Sequence, residues 1–303
     1  MSGDLRLGFI GFGEAASRFA KDLTHAGLAS IVAYSPSAAK AAADDPLLAK
    51  AAEAGVRIVP TIADVCTRSN LVVSLTPGKL ALAVLREAKR YLNAEHIYVD
   101  ATTASVRDME KAAKLLEGGA AFVDAAVMDP VPMNGIKVLT VASGSHAVRF
   151  RDLLAPYGMN IQVVGDKPGA ASSMKLLRSV CMKGLAALLL ESLEAAQRYG
   201  VTDALVADMS RFIDGSPFED LIKRWVCGTA IHAERRIHEV TEAMALLKSV
   251  RASTHMTAST RKTLRNVTDM RLRERFGASE PATIHPVLDA IIETRDGHGS
   301  AAT

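Results

Sequence analysis

The stretch LRLGFIGFGEAASRFAKDL, residues 5–23, decides how the first half of the chain is read. A short apolar run, Leu5–Ile10, leads directly into Gly11-Phe12-Gly13-Glu14-Ala15-Ala16, and helical periodicity follows from Glu14 to His25. A G-x-G-x-x-A between a strand and a helix is the context in which such glycines bind a dinucleotide. Gly11 permits the tight turn, Gly13 lets the backbone approach a pyrophosphate, and Ala16 keeps helix and strand close. The pyrophosphate would rest on the free N–H groups at the helix N-terminus.

Further strand signals follow at Ser30–Tyr34, Val56–Val59, Leu71–Leu75, His96–Asp100, Ala121–Val127, Lys137–Ala142 and Asn160–Val164. Helical stretches such as Lys79–Tyr91 and Ser105–Leu116 lie between most of them. Parallel strands need helical crossovers, so the alternation predicts an α/β domain of Rossmann type, a doubly wound parallel sheet, over residues 1–165. The pattern then changes. One long stretch, Gly169 to Tyr199, is apolar on most faces, which predicts burial on most sides. Only helix-like segments follow, at Thr202–Asp214, Pro217–Cys227, Ile231–Ala252, Thr257–Phe276 and His285–Thr294. Residues 166–303 are therefore expected to form an all-helical C-terminal domain for substrate binding and dimerisation.

Composition narrows the function. The 36 basic and 33 acidic residues leave a net charge of +3, with no Lys/Arg run of the kind that binds nucleic acid. Cys66, Cys181 and Cys227 are odd in number and widely spaced, which argues against a disulfide framework or a zinc site. MSGDLRLGFIGFG has no basic leader followed by an uncharged apolar stretch, and Gly184–Leu190 is too short to span a bilayer. A cytoplasmic protein without a membrane or nucleic-acid partner is the expectation.

The second strand ends in VAYSPS, residues 32–37, where an acid would bind the adenine ribose hydroxyls. No acid stands there. Ser35 and Ser37, with Lys40 nearby, would accept a 2′-phosphate, which favours NADP over NAD, and Tyr34 beside them is a further cofactor-binding candidate. The serines also suit the N-cap of a following helix.

Beyond the turn, several segments in order resemble the β-hydroxyacid dehydrogenase and 6-phosphogluconate dehydrogenase superfamily. LVVSLTPG (71–78) resembles its fourth strand and following loop, which implies that Leu75, Thr76 and Pro77 border the cofactor. YVDATTAS (98–105) resembles its D-x-S-T stretch, which implies that Thr102 lies between cofactor and substrate. FVDAAVMDPVP (122–132) resembles the substrate stretch D-A-P-V-S-G-G, but places Met128, Asp129 and Pro130 where Ser-Gly-Gly is usual. GAASSMKLLRS (169–179) resembles the catalytic signature G-x-x-x-x-x-K-x-x-x-N; it supplies Lys175 and has Ser179 in place of Asn. The long helix and HAERRIHEV (232–240) are similar to a subgroup whose helical C-terminal domain long lacked an assigned function.

A lysine can take a hydroxyl proton if desolvation lowers its pKa. Lys175 sits in the most apolar helix, and Ser179, one turn on, shares its face. A small anionic substrate needs a cation. His232, Arg235 and Arg236 share one helix face, and Arg235 is the best anion anchor from sequence, against the reading of a solvated face laced by Glu234 and Glu239. Met128 reads as packing as well as substrate contact; Asp129 either repels an anion or binds a polar group. The expected activity is oxidation of the CH–OH group of a small 3-hydroxy acid or sugar acid, with NADP or NAD, by a homodimer joined through the helical domain. Oxidative decarboxylation or isomerisation of a sugar acid, imine reduction, and non-catalytic NAD(P) sensing are the alternatives.

Overall fold

Eight strands form one sheet in the computed structural model, which describes residues 5–37 and 45–299. They are β1 (Arg6–Ile10), β2 (Ser30–Tyr34), β3 (Arg57–Ile58), β4 (Leu71–Ser74), β5 (Ile97–Asp100), β6 (Ala121–Val127), β7 (Thr140–Ser143) and β8 (Ile161–Gly165). Their spatial order is β3-β2-β1-β4-β5-β6-β7-β8. The order reverses between β1 and β4, and such a switch point opens a crevice beyond the carboxyl ends of the strands.

Helices α1 (Glu14–His25), α2 (Pro46–Glu53), α3 (Ile62–Arg68), α4 (Ala81–Ala88), α5 (Val106–Leu116), α6 (Val131–Asn134) and α7 (Ala147–Leu154) connect the strands. Phe19 and Leu23 of α1 and Phe150 and Leu154 of α7 pack with Phe9, Val73, Val99 and Val123 in one layer. Val65 of α3, Leu85 of α4 and Met109 of α5 pack with Ile10, Val72, Tyr98 and Phe122 in the other. With both faces covered, the strands are mostly apolar, which is why they read as near-continuous runs.

One strand departs from the parallel expectation. β7 runs antiparallel to β6 and parallel to β8. The β6–β7 connection contains only the single turn α6 and a 3-10 turn, Gly135–Lys137, and has no helix long enough to cross the sheet. It lies instead on α1, where Arg18 Nη1 donates to the Pro132 carbonyl and the Ile136 N–H donates to Asp22, each at 3.1 Å.

Register aligns Ser74, Asp100, Asp124 and Ser143 in one row across β4, β5, β6 and β7. All four are fully buried. This polar row receives the N-terminus of α8 (Ala170–Tyr199). Asp124 accepts from the Gly169 and Ser172 N–H groups at 3.0 Å, from Ser172 Oγ at 2.6 Å and from Ser143 Oγ at 3.1 Å. Ser143 Oγ in turn accepts from the Ala171 N–H at 3.0 Å. Orphan donors at a helix start need partners, and a carboxylate also complements the dipole there.

The chain divides into two compact units, one running to Val180 and one from Cys181 onward. The sequence places the boundary at residue 165, the end of β8; the division in space falls inside α8. The second unit continues with α9 (Thr202–Asp214), α10 (Phe218–Ser249), α11 (His255–Asp269), α12 (Leu272–Arg275) and α13 (His285–Gly299). Glu191 of α8 is buried and caps α11, accepting from the Met256 and Thr257 N–H groups at 2.9 and 2.8 Å and from two hydroxyls, Ser253 and Thr257. The two helices expected over residues 217–252 form one element with a non-helical break at His232 (φ −113°, ψ 16°). The stretch expected as one helix over 257–276 is broken by Arg271 in the left-handed region (φ 53°). No helix among the described residues is long and apolar enough to cross a membrane.

The apolar run of α8 is less covered than predicted: Leu177, Val180 and Leu190 are 69%, 71% and 76% exposed. Replacing Asp124 with Asn leaves one acceptor where two oxygens serve four donors, and removes the charge. Asp124→Asn is expected to lower the unfolding free energy by about 2–4 kcal/mol, measured by urea denaturation. A loss below about 1 kcal/mol would refute the capping role.

Candidate active site

The glycine turn after β1 has the geometry a phosphate needs. Gly11 lies at φ +97°, and a Cβ there would stand 2.8 Å from the Leu75 carbonyl oxygen, so no other residue fits. Its N–H donates to the Tyr34 carbonyl at 2.7 Å. Gly13, the N-cap of α1, is extended and makes no side-chain cap, and a Cβ on it would meet nothing within 4 Å. Its open side is thus available to a ligand, in front of first-turn N–H groups that no side chain among the described residues satisfies. The cradle suits the pyrophosphate of a dinucleotide.

Around this turn the expected cofactor residues divide by role. The Phe12 side chain is buried in the core, so only its backbone is available to a cofactor. Ala16 is buried, Ala15 half-buried and Glu14 exposed at the helix start. Leu75, Thr76 and Pro77 follow β4, the strand beside β1 across the switch point. At the end of β2, Tyr34 is half-buried, and buried Ser35 bonds exposed Ser37 through their hydroxyls at 3.2 Å. Lys40 lies outside the described residues.

The catalytic candidates meet at the carboxyl ends of β5 and β6. Asp100 Oδ1 accepts from the Thr102 N–H at 3.0 Å and from Thr102 Oγ1 at 2.6 Å. Burial pushes the Asp100 carboxyl up to about 6, against these two hydrogen bonds and with Asp124 beside it. Thr102 is therefore engaged with Asp100, and its neighbour Thr103 turns toward the helix. Thr103 lies in the left-handed region (φ 56°), an outlier for a β-branched side chain, and accepts a hydrogen bond from Lys175 Nζ at 3.1 Å. Burial lowers the pKa of Lys175, and the nearby Arg178 guanidinium lowers it further. Ser179 is half-buried one turn on.

Met128 is buried, and its carbonyl accepts from Arg178 Nη1 at 2.6 Å. Arg178 Nη2 pairs with Asp129 at 2.8 Å. Thr103 and Arg178 are the contacts that sequence reasoning missed; their adjacency to Thr102 and Ser179 was the available signal.

His232 and Arg235 belong to the second unit. His232 Nε2 lies 3.4 Å from Glu280, and Arg235 pairs with Glu239 at 3.2 Å, each of the four side chains more than a third exposed. Arg236, on the same helix, bonds Thr229 Oγ1 and the Trp225 carbonyl. No group of His, Cys, Asp or Glu among the described residues is placed to hold a metal ion.

Residues 6–165 match the family model described as the NAD binding domain of 6-phosphogluconate dehydrogenase. The chain belongs to that family. Residues 196–267 match a domain of unknown function, DUF1932, in agreement with the subgroup resemblance. The chain is 33% identical over 241 residues to an uncharacterized 28.5 kDa protein in the 7S RNA 5′ region of Methanothermus fervidus, covering 78% of this chain and 89% of that one. A solved structure of a conserved protein of unknown function is 34% identical, with a TM-score of 0.60 over 89% of this chain and 99% of that one. That protein is described as structurally similar to 3-hydroxyacid dehydrogenases. An imine reductase variant from Myxococcus stipitatus in complex with NAD+ shares the fold at 19% identity, with a TM-score of 0.72 over 95% of this chain and 99% of that one. Together these give this 6-phosphogluconate dehydrogenase-like protein a nicotinamide-dinucleotide-binding, dehydrogenase-type fold.

The two glycines separate folding from binding. Gly13→Leu points into open space, so it is expected to keep its melting temperature while NAD(P)H affinity, read by nicotinamide fluorescence, falls at least about tenfold. Gly11→Ala is expected to lose both. Unchanged affinity in Gly13→Leu would place the cofactor elsewhere.

Proposed function

We propose that the chain is an NAD(P)-dependent oxidoreductase acting on the CH–OH group of a small 3-hydroxy acid or sugar acid, with Lys175 as general acid and base. The observation that carries this reading is the hydrogen bond of Lys175 Nζ to strained Thr103, beside the crevice that starts at the Gly11–Gly13 turn. A bound nicotinamide supplies the hydride acceptor for oxidation, or the donor for reduction. Neutral Lys175 takes the hydroxyl proton in oxidation; its ammonium returns a proton to the carbonyl oxygen in reduction. Its lowered pKa makes the neutral form accessible nearer neutrality than for an ordinary lysine. Ser179 shares the Lys175 face and positions the substrate hydroxyl, with Thr102 on the opposite wall. The absence of an acid between Tyr34 and Ser37 favours NADP. The exposed Leu177, Val180 and Leu190 support a homodimer joined along α8.

The direct test titrates the protein with NADPH and NADH, then assays 3-hydroxy acids, sugar acids and cyclic imines. Lys175→Ala is expected to bind cofactor normally and to lose turnover by about 100-fold or more; full turnover would end the proton-transfer role. The sign of the pH response follows from the two forms. Oxidation needs the neutral amine and accelerates as pH rises through the Lys175 pKa, while reduction needs the ammonium and slows over the same window. Removing the neighbouring cation in Arg178→Gln is expected to move both limbs to higher pH. Turnover on cyclic imines but on no hydroxy acid would favour the imine-reducing alternative. Light scattering at micromolar concentration is expected to give a dimer mass, and a monomer mass would leave the α8 face without that explanation.

A further inference from the structure

The loop after β6 is poor in donors for an anion. The Met128 N–H is consumed by the Leu139 carbonyl at 2.8 Å, Pro130 has no N–H, and Asp129 brings a negative charge. Between Met128 and Pro130 an anion would find one backbone donor at most, the Asp129 N–H. The helix facing the loop supplies what the loop lacks. Arg178 lies three residues beyond Lys175, about 4.5 Å along the helix axis, and directly before Ser179. Its guanidinium spends one N–H on the Met128 carbonyl and one on Asp129, out of five donors in a rigid fork.

The Arg178 and Asp129 side chains are 46% and 39% exposed, so the pair stands at an open edge that a solute can reach. Asp129 holds the fork through a single oxygen, Oδ1. A carboxylate offering two oxygens can engage the fork in a bidentate way that Asp129 does not. With Lys175 charged, the three groups carry a net positive charge before any ligand arrives.

We propose that Arg178 anchors the substrate carboxylate, and that Asp129 is its resting partner, displaced when the substrate enters. Arg178 thereby takes, on the wall that carries Lys175, the anchoring role that sequence alone gave to Arg235. One turn of helix separates anchor from proton-transfer group, which selects short hydroxy acids whose carboxylate lies close to the reacting carbon. The inference rests on the reading of Lys175 as the proton-transfer group.

The test uses malonate as probe and uncharged malonamide as control, titrated calorimetrically into the full chain and into Asp129→Asn, Arg178→Gln and Arg178→Lys. Nicotinamide fluorescence confirms that each variant still binds cofactor and is folded. Asp129→Asn removes the competitor, so malonate affinity is expected to rise about tenfold. Arg178→Gln is expected to lose at least about tenfold, Arg178→Lys to fall between, and malonamide to show no response to any change. Opposite effects of the two partners mark an anchor and its competitor; a purely structural pair would weaken binding from either side. Equal affinity in Arg178→Gln and the unaltered protein, or weakening in Asp129→Asn, or no malonate binding to Asp129→Asn, would each overturn the proposal. If malonate responds as expected while Lys175→Ala retains turnover, the proton-transfer reading fails and the anchor stands.

Discussion

The carboxylate of Asp124, fully buried at the start of α8, is the constraint on which the rest of the candidate site depends. A buried charge is unfavourable unless it is fully hydrogen-bonded. Here two oxygens receive four donors, two of them backbone N–H groups that the helix could not satisfy itself. The carboxylate and the helix start are each unfavourable alone and compatible together. Their union fixes the axial position of α8 against β6. Lys175 follows one turn later and Arg178 two turns later, so their placement over the ends of β5 and β6 derives from this contact.

The second unit uses the same device. Thr254 at the N-cap of α11 makes no side-chain cap bond, and buried Glu191, distant in sequence, takes the N–H groups of Met256 and Thr257. Burial raises the Glu191 pKa, but the bonds from Thr257, Met256 and Ser253 lower it by more, so its net direction is downward. In both units a long-range carboxylate replaces the local Ser, Thr or Asp cap. The two caps differ in what lies beyond them: after Asp124 come the groups proposed for chemistry, whereas the contacts of Glu191 order only the helical unit.

How much of this was legible in the sequence follows from how local each feature is. Gly11, Gly13 and Ala16 were readable because a positive φ, an open Cβ direction and a close helix–strand contact are decided within a few residues. The strands were readable because burial on both faces favours apolar residues at most of their positions. The direction of β7 was not, since it depends on whether the preceding connection can cross the sheet. Lys175 was reached through its motif, but its partner Thr103 lies 72 residues away, and Asp129 lies 49 from Arg178. Such pairings are set by tertiary placement, and no periodicity records them. The sequence places the gap between two helices at residues 228–230, whereas the break stands at His232, inside the second of them, where no Gly or Pro marks it.

Asp100 adds a consequence of its own. Its Oδ2 finds no hydrogen-bond partner among the described residues, and its proton affinity is raised to about 6. The proton is therefore held in mildly acidic solution and released on the way to neutrality, two residues before Thr102 and three before Thr103. That ionisation adds a negative charge behind the strained turn without touching any reacting atom. It also makes the folded state less stable as pH rises through that value, because the unfolded chain gives up the same proton more readily. The pH dependence of folding thus carries the mark of an acid buried behind the turn, separate from the burial and the Arg178 charge that set the proton affinity of Lys175.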